Sequence, residues 1–171
     1  IQILSGMFLT MYYVPDIENA WESVYYLQNE VAFGEIVRGM HHWGASLVIV
    51  MMFLHTLRVF FTGSYKKPRE LNWMVGVLIF AVMLGLGFTG YLLPWDMKAL
   101  FATKVGIEIA ASVPFIGEYI KILLAGDSTI LGAQTLTRFF AIHVFFLPAA
   151  LFALLAAHFI MIRRQGISGP L

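Results

Sequence analysis

The chain has 171 residues, of which 60% are hydrophobic and only 12% are charged. Soluble domains carry roughly 25% charged residues, so this composition indicates a membrane protein. The formal net charge of +1 gives no reason to expect a nucleic-acid partner. Because there is no cysteine, disulfides and thiolate metal sites are excluded within the chain, and a metal would need histidine, carboxylate or methionine ligands.

Uncharged segments predict the membrane spans. A spanning helix needs about 20 apolar residues, and the uncharged runs 39–57, 71–95 and 139–162 approach or exceed that length. The segment 1–14 is apolar from its first residue and lacks a signal-peptide pattern, so we expect part of a span whose start is missing. We therefore predict an all-α, transmembrane four-helix bundle with a truncated first helix, in a single membrane domain. Its spans are expected at about 1–14, 38–60, 72–95 and 137–162.

The long connector at about 96–136 is not featureless. Two stretches, roughly 97–112 and 115–125, mix apolar and charged residues, with Pro114 between them and Gly126 after the second. This pattern favours amphipathic helices lying at the membrane interface between the third and fourth spans, over an ordinary solvated loop.

Basic residues orient the bundle. The loop at 61–72 and the C-terminus share one side of a four-span bundle, and short basic loops stay on the cytoplasmic, negative side. The long connector is then expected on the positive side. The basic residues of the negative side, which face only Glu70 as an acid, are Arg58, Lys66, Lys67, Arg69, Arg163 and Arg164.

Four of the five histidines lie in two spans, where ionisable residues are costly and usually functional. His41 and His55 are 14 residues apart, which returns them to within about 40° of one helix face at a separation of roughly 21 Å. His143 and His158 are 15 apart, within about 60° and roughly 22 Å. Both spans run in the same direction, so His41 is level with His143 and His55 with His158. His42 lies about 100° from His41 and receives no metal.

Two facing imidazoles at each level are what bis-histidine ligation of haem iron requires, and closed ligation of this kind suits electron transfer. The alternatives are hydrogen bonds to neighbouring helices or a proton relay. Arginines at the membrane boundaries would bind haem propionates, although the spacing of Arg58 suits contact with lipid headgroups equally well. These arginines are Arg38, Arg138 and Arg58.

Glycines give a second line of argument. Gly76 and Gly90 are also 14 residues apart, on the third span, and Gly6 lies in the first. Glycine in a helix costs about 1 kcal/mol relative to alanine, but it lets a flat macrocycle approach the backbone. We expect these three glycines to line haem, although membrane helices also use glycine simply to pack together.

Three motifs together resemble the cytochrome b family over nearly the whole chain. One runs from Arg38-Gly-Met-His41-His42-Trp-Gly44 to His55 and is similar to the second helix of that family. The others are Phe88-Thr-Gly90-Tyr91-Leu-Leu-Pro94-Trp95-Asp96, similar to the end of its third helix, and Thr135-Leu-Thr-Arg138 to His143 with Leu147-Pro148, similar to the start of its fourth.

Further residues indicate which branch of the cytochrome b family the chain resembles. The 15-residue histidine spacing, Ala102 and the ending Arg163–Leu171 are similar to b6-type members, in which the remaining helices form a separate subunit. The run Met97-Lys-Ala-Leu-Phe, which follows Pro-Trp-Asp, differs from the residues found there in photosynthetic members of the family. The resemblance therefore favours the split cytochrome b of a bacterial menaquinol:cytochrome c reductase over a plastoquinol:plastocyanin reductase.

The resemblance implies two stacked, non-covalent b-type haems, one on His41 and His143 and one on His55 and His158, with a third haem attached upstream in some b6-type members. Quinol would be oxidised on the positive side, one electron passing to a Rieske subunit and the other across the two haems to quinone. No catalytic residue is assigned in this chain. The residues expected at the quinol pocket are Phe88, Tyr91, Pro94 and Ala102.

The partners implied are a Rieske iron–sulfur subunit, a subunit IV-like chain, a cytochrome c or f-type subunit, quinol and quinone, the lipid bilayer and a second copy of the complex. The bacterial plasma membrane is the expected location, with the thylakoid membrane second. Two other hypotheses remain open. A di-haem conduit to a flavin or other redox domain would not need the Leu-Leu-Pro-Trp-Asp segment, and a non-redox bundle or transporter would use the histidines as a proton relay.

Overall fold

The structure is a computed structural model that describes residues 1–126 and 131–167. The predicted all-α fold is confirmed over these residues, whereas residues 168–171 of the b6-like ending lie outside them. A π-helical turn, Ile142–Phe146, joins the last two α-helices into one continuous segment. The α-helices are α1 (Gln2–Thr10), α2 (Ala20–Asn29), α3 (Gly34–Phe61), α4 (Glu70–Leu92), α5 (Met97–Ala111), α6 (Gly117–Ala125), α7 (Ala133–Ala141) and α8 (Leu147–Gln165).

Among the described residues, three helical segments are long and apolar enough to cross a membrane: α3, α4 and the continuous segment Ala133–Gln165. Helix α1 packs against α3, α3 against α4, and α4 against α8. Few residues of the three long segments are buried within this chain. Such faces suit contact with lipid or with other subunits, because a helix satisfies its own backbone hydrogen bonds.

One end of the bundle, which we call the connector end, carries α5 and α6, close to the predicted amphipathic stretches. Helix α5 begins after Asp96, whose side chain accepts a hydrogen bond of 2.7 Å from the backbone N–H of Ala99. Helices α5 and α6 pack on each other. Lys121 Nζ donates a hydrogen bond of 2.8 Å to Glu108 between them, and this bond raises the pKa of Lys121.

The most buried apolar cluster also lies at the connector end. Leu92 of α4, Ile107 of α5, Ala125 of α6 and Phe139 of α7 pack together there. Tyr13, which follows α1, donates a hydrogen bond of 2.6 Å to the backbone carbonyl of Leu93. The ends of α1, α4 and α7 are thus fixed relative to each other where the long helices would otherwise splay.

The opposite end, which we call the loop end, carries the connection from α3 to α4. Arg69, in this connection, donates hydrogen bonds to the carbonyls of Gly166 (3.4 Å) and Ile167 (3.2 Å). A cation suits these groups because the last carbonyls of a helix have no partner within it. The start of α4 is therefore joined to the end of α8.

Replacing Thr135 by valine should destabilise the connector end. Thr135 is fully buried, and its hydroxyl donates to the carbonyl of Ala125 (2.6 Å) and accepts from the N–H of Gly132 (3.1 Å). The isosteric change leaves both groups unsatisfied, at a cost of about 1–3 kcal/mol. Thermal unfolding of the purified protein should show a lower Tm.

Thr137→Val is the matched control, since its hydroxyl makes only an exposed 3.3 Å bond to the carbonyl of Pro15. An equal Tm for the Thr135→Val and Thr137→Val variants would contradict the role given to Thr135.

Candidate functional site

The first histidine pair lies toward the connector end. His41 of α3 and His143 of the π turn face each other with ring centres 6.3 Å apart and ring planes at 75°. A metal ion held by two imidazole nitrogens at about 2 Å each places the ring centres roughly 6 Å apart. The observed separation therefore matches two axial ligands of one metal ion. We call this the upper pair.

A hydroxyl group holds each ring of the upper pair. Ser5 Oγ lies 2.9 Å from Nδ1 of His41, and Thr89 Oγ1 lies 3.0 Å from Nδ1 of His143. Each hydroxyl also donates to a carbonyl one turn earlier in its own helix, at 3.0 and 2.8 Å respectively. A hydroxyl has one proton, which is used in the bond to the carbonyl, so we infer that each Nδ1 is the protonated donor. The other ring nitrogen, Nε2, is then left with a free lone pair for a metal.

The three predicted glycines all face histidine rings. A Cβ added to Gly90 would lie 2.6 Å from Cε1 of His143, and one on Gly6 would lie 3.3 Å from Cε1 of His41. The corresponding distance from Gly76 to Cε1 of His158 is 3.5 Å. The glycines of α1 and α4 therefore provide space beside the imidazoles, most tightly at Gly90.

The second pair, which we call the lower pair, lies toward the loop end. It consists of His55 of α3 and His158 of α8, and the ring of His158 lies beside Gly76 of α4. Nδ1 of His158 is buried and makes no hydrogen bond of normal geometry, although the backbone of Asn72 lies near it. The residue before Gly76 is Val75, so α4 offers no hydroxyl here comparable to Thr89. The two levels thus differ in what supports their rings.

The predicted arginines have protein partners of their own. Arg38 Nη1 donates a hydrogen bond of 2.5 Å to Oε1 of Gln28. Arg138 Nη1 donates to the carbonyls at the end of α6, at 2.7 Å and 2.6 Å. Arg58 lies near His55, with which it interacts electrostatically. A guanidinium has five N–H donors, so the bonds made by Arg38 and Arg138 leave others for an anion.

The four residues expected at a quinol pocket all lie at the connector end, on α4, on α5 or between them. The Phe88 ring lies against Gly106 of α5 and 6.5 Å from the ring of Phe139. Ala102 packs against the buried apolar cluster. Tyr91 is half exposed, and Pro94 follows α4 in the turn to α5. His42, to which no metal was assigned, is exposed beside Trp43.

Sequence reasoning missed Ser5 and Thr89. Each stands immediately before a predicted glycine, as Ser5-Gly6 and Thr89-Gly90, and this repeated hydroxyl–glycine pair was the signal available. It also missed Gln2, whose side-chain amide is buried without a hydrogen-bond partner between α1 and Gly44. These contacts join residues far apart in the chain, so helical spacing alone does not reveal them.

The donor set suits a macrocyclic cofactor better than a bare ion. Within the described ranges no group of three or more His, Cys, Asp or Glu side chains is placed to hold a metal. Haem supplies four ring nitrogens itself and needs only two axial protein ligands, and each level offers two imidazoles. The glycines leave room for the imidazole rings beside them. Fold and site define an α-helical membrane protein whose paired histidines fit haem.

Comparisons with known proteins agree with this class. A family profile described as cytochrome b/b6/petB matches residues 1–166. The menaquinol:cytochrome c reductase cytochrome b subunit of Bacillus subtilis (strain 168) is 86% identical over all of this chain and 76% of its own length. Cytochrome b6 of Heliobacterium modesticaldum is 49% identical over all of this chain and 80% of its own length.

A solved structure described as a hyperthermophilic respiratory Complex III matches 99% of this chain with a TM-score of 0.88 and 35% identity, and this chain spans 45% of that one. The chain therefore belongs to the cytochrome b/b6 family, a haem-binding family, and is an electron-transfer subunit of the complex III type.

Gly90→Ala should lower the haem content of the protein. The added methyl group would lie 2.6 Å from Cε1 of His143, so the ring must move away from the position that faces His41. Haem per chain, measured by the pyridine haemochrome method on the purified complex, should fall.

Gly39→Ala is the control, because a Cβ at Gly39 meets nothing within 4 Å. An unchanged haem content in Gly90→Ala would mean that His143 does not depend on this clearance.

Proposed function

We propose that this chain is the di-haem cytochrome b subunit of a bacterial menaquinol:cytochrome c reductase. It would carry electrons across the membrane from quinol oxidation at the connector end to quinone reduction at the loop end. The observation that carries the proposal is the upper imidazole pair, with His55 and His158 placed further along the same two helical segments. The relative from Bacillus subtilis, which bears that activity in its name, supports the choice of quinol and acceptor.

Each pair would hold one non-covalent b-type haem, His41 with His143 and His55 with His158. A bound haem would supply a one-electron redox couple, and its two imidazole ligands would leave no site on the iron for oxygen or substrate. Ser5 and Thr89 keep the upper imidazoles in the tautomer that presents Nε2. Gly6, Gly76 and Gly90 are proposed as cofactor-lining positions because each lies beside a ligand imidazole. A third haem attached upstream remains an expectation from b6-type relatives.

The arginines would contribute positive charge near the haem propionates. Arg58 belongs to the loop end, whereas Arg38 and Arg138 belong to the connector end. Charge-assisted hydrogen bonds from a guanidinium to a carboxylate are about twice as strong as neutral ones, and a nearby cation favours the anionic propionate. Because Arg138 also binds the end of α6, we propose that it links the connector helices to the upper site.

Quinol would enter where α4 meets α5. Phe88 and Tyr91 present partly exposed aromatic rings there, and Pro94 and Ala102 lie close by in the same end of the fold. Flat apolar rings with few polar groups suit a quinone head group. The proton acceptor would belong to a partner, since no catalytic residue is assigned here.

The family and the structural match imply a multi-subunit complex. We propose that its other members are a Rieske iron–sulfur subunit, a subunit IV-like chain with the remaining helices and a cytochrome c-type or f-type subunit, assembled as a dimer. The bacterial plasma membrane is the proposed location. The wide apolar faces of the three long helices leave ample surface for lipid and for such subunits.

A reduced-minus-oxidised spectrum with a count of extractable haem per chain tests the proposal. The wild-type complex should contain two non-covalent haems with low-spin spectra. His41→Leu or His143→Leu should remove one, and His55→Leu or His158→Leu should remove the other, because each loses an axial ligand.

His42→Leu is the control and should retain both haems. A single haem in the wild-type complex, or loss of the same haem from all four variants, would reject the pairing.

Thr89→Val should raise the midpoint potential of the upper haem. Thr89 accepts a hydrogen bond from Nδ1–H of His143, which makes the ligand more basic and favours ferric iron. A neutral hydrogen bond contributes about 1 kcal/mol, so the shift should not exceed roughly 40 mV for one electron. Redox titration of the two haems measures it.

The Thr10→Val variant serves as the control, since Thr10 lies at the end of α1 and its hydroxyl bonds to the carbonyl of Met7 in the same helix. A shift in the lower haem instead of the upper one would contradict the assignment of Thr89.

A further inference from the structure

The histidine pairs raise a problem of helical register. His41 and His55 are 14 residues apart on the uninterrupted helix α3, whereas His143 and His158 are 15 apart. In a regular α-helix one extra residue adds about 1.5 Å of length and about 100° of rotation. Two helices that bind the same two cofactors should not differ by that amount.

The spacing of two glycines on α4 gives the number of helical residues between the two histidine levels. Gly76 and Gly90 are 14 residues apart on this continuous α-helix. Gly90 faces the ring of His143, and Gly76 faces the ring of His158. The 15-residue interval of the continuous segment Ala133–Gln165 therefore matches a 14-residue interval of α4 at both ends. One residue between His143 and His158 must be taken up without adding a normal helical step.

The π turn is where that residue is taken up. The backbone N–H of Leu147 bonds to the carbonyl of Ile142, five residues earlier instead of four. A turn closed in this way contains one residue more than an α-helical turn. His143 lies within the turn, so the extra residue falls between the two histidines.

Pro148 explains why the turn forms at this place. It stands in the first turn of α8 and has no N–H, so it cannot make the α-helical bond to the carbonyl of Val144. The α-helical hydrogen bonding is therefore interrupted at the place where the extra residue must be accommodated. A proline is tolerated there because it lies in the first turn of α8 and the helix continues after it.

We propose that the π turn, fixed by Pro148, is a positioning device that makes a 15-residue histidine pair equivalent to the 14-residue pair of α3. The inference rests on the proposed function, because it assumes that His143 and His158 bind haem at two levels. It assigns Pro148 and the turn a role in aligning the ligands, apart from any contact with the cofactor.

Deleting Val144 from the full-length subunit, expressed in its complex, tests the inference. Val144 is exposed, and its removal leaves a 14-residue interval that a regular α-helix can span. We expect two extractable haems per chain, as in the wild type, with unchanged bis-histidine absorption and electron paramagnetic resonance spectra. Loss of either haem, or failure of the variant to accumulate in the membrane, would overturn the inference.

The matched control is deletion of Val50, an exposed valine between His41 and His55 on α3. No π turn is available within α3 to take up the change, so His55 should rotate by about 100° and half of the extractable haem should be lost. Retention of both haems after this deletion would also overturn the inference. Fewer than two haems in the wild type would reject the proposed function itself, and the inference with it.

Discussion

A fixed separation between two levels of the bundle is the constraint on which the described structure depends. An imidazole pair can form at both levels only if α3 and the segment from α7 to α8 advance by the same length between their histidines. Helix α4 advances by that length too, since its two glycines meet the rings of His143 and His158. The hydrogen bonds at the connector end and the Arg69 contacts at the loop end hold the helices in this alignment.

The two levels are supported differently. In the upper pair both Nδ1 atoms meet hydroxyls whose own protons are already donated to the backbone, so the tautomer is set by the protein before a metal binds. In the lower pair Nδ1 of His158 has no such partner. Ligand basicity depends on these hydrogen bonds, so one chain can give two similar imidazole pairs different electronic properties.

Much of this could be predicted from the sequence because it follows from helical periodicity. Uncharged runs, histidine spacing and glycine spacing predict helices, faces and levels, and the resemblance to cytochrome b supplied the family. The contacts of Ser5 and Thr89 could not be predicted, because they join different helices and depend on side-chain direction. The bonds of Arg138 to α6 depend on how the connector folds back. Pro148 was visible, but a proline alone does not say whether a helix kinks, ends or closes a wider turn.

The π turn also affects how the length of such proteins can change during evolution. In a helical bundle, inserting or deleting one codon normally disrupts the packing, because every residue beyond it then lies on a different face of the helix. At Ile142–Phe146 we expect the same event to exchange a π turn for an α-helical turn. This short stretch is therefore a place where lineages can differ in length by a single residue while the chemistry downstream is inherited intact. Histidine spacing in distant relatives should accordingly be compared only after turns of this type have been located.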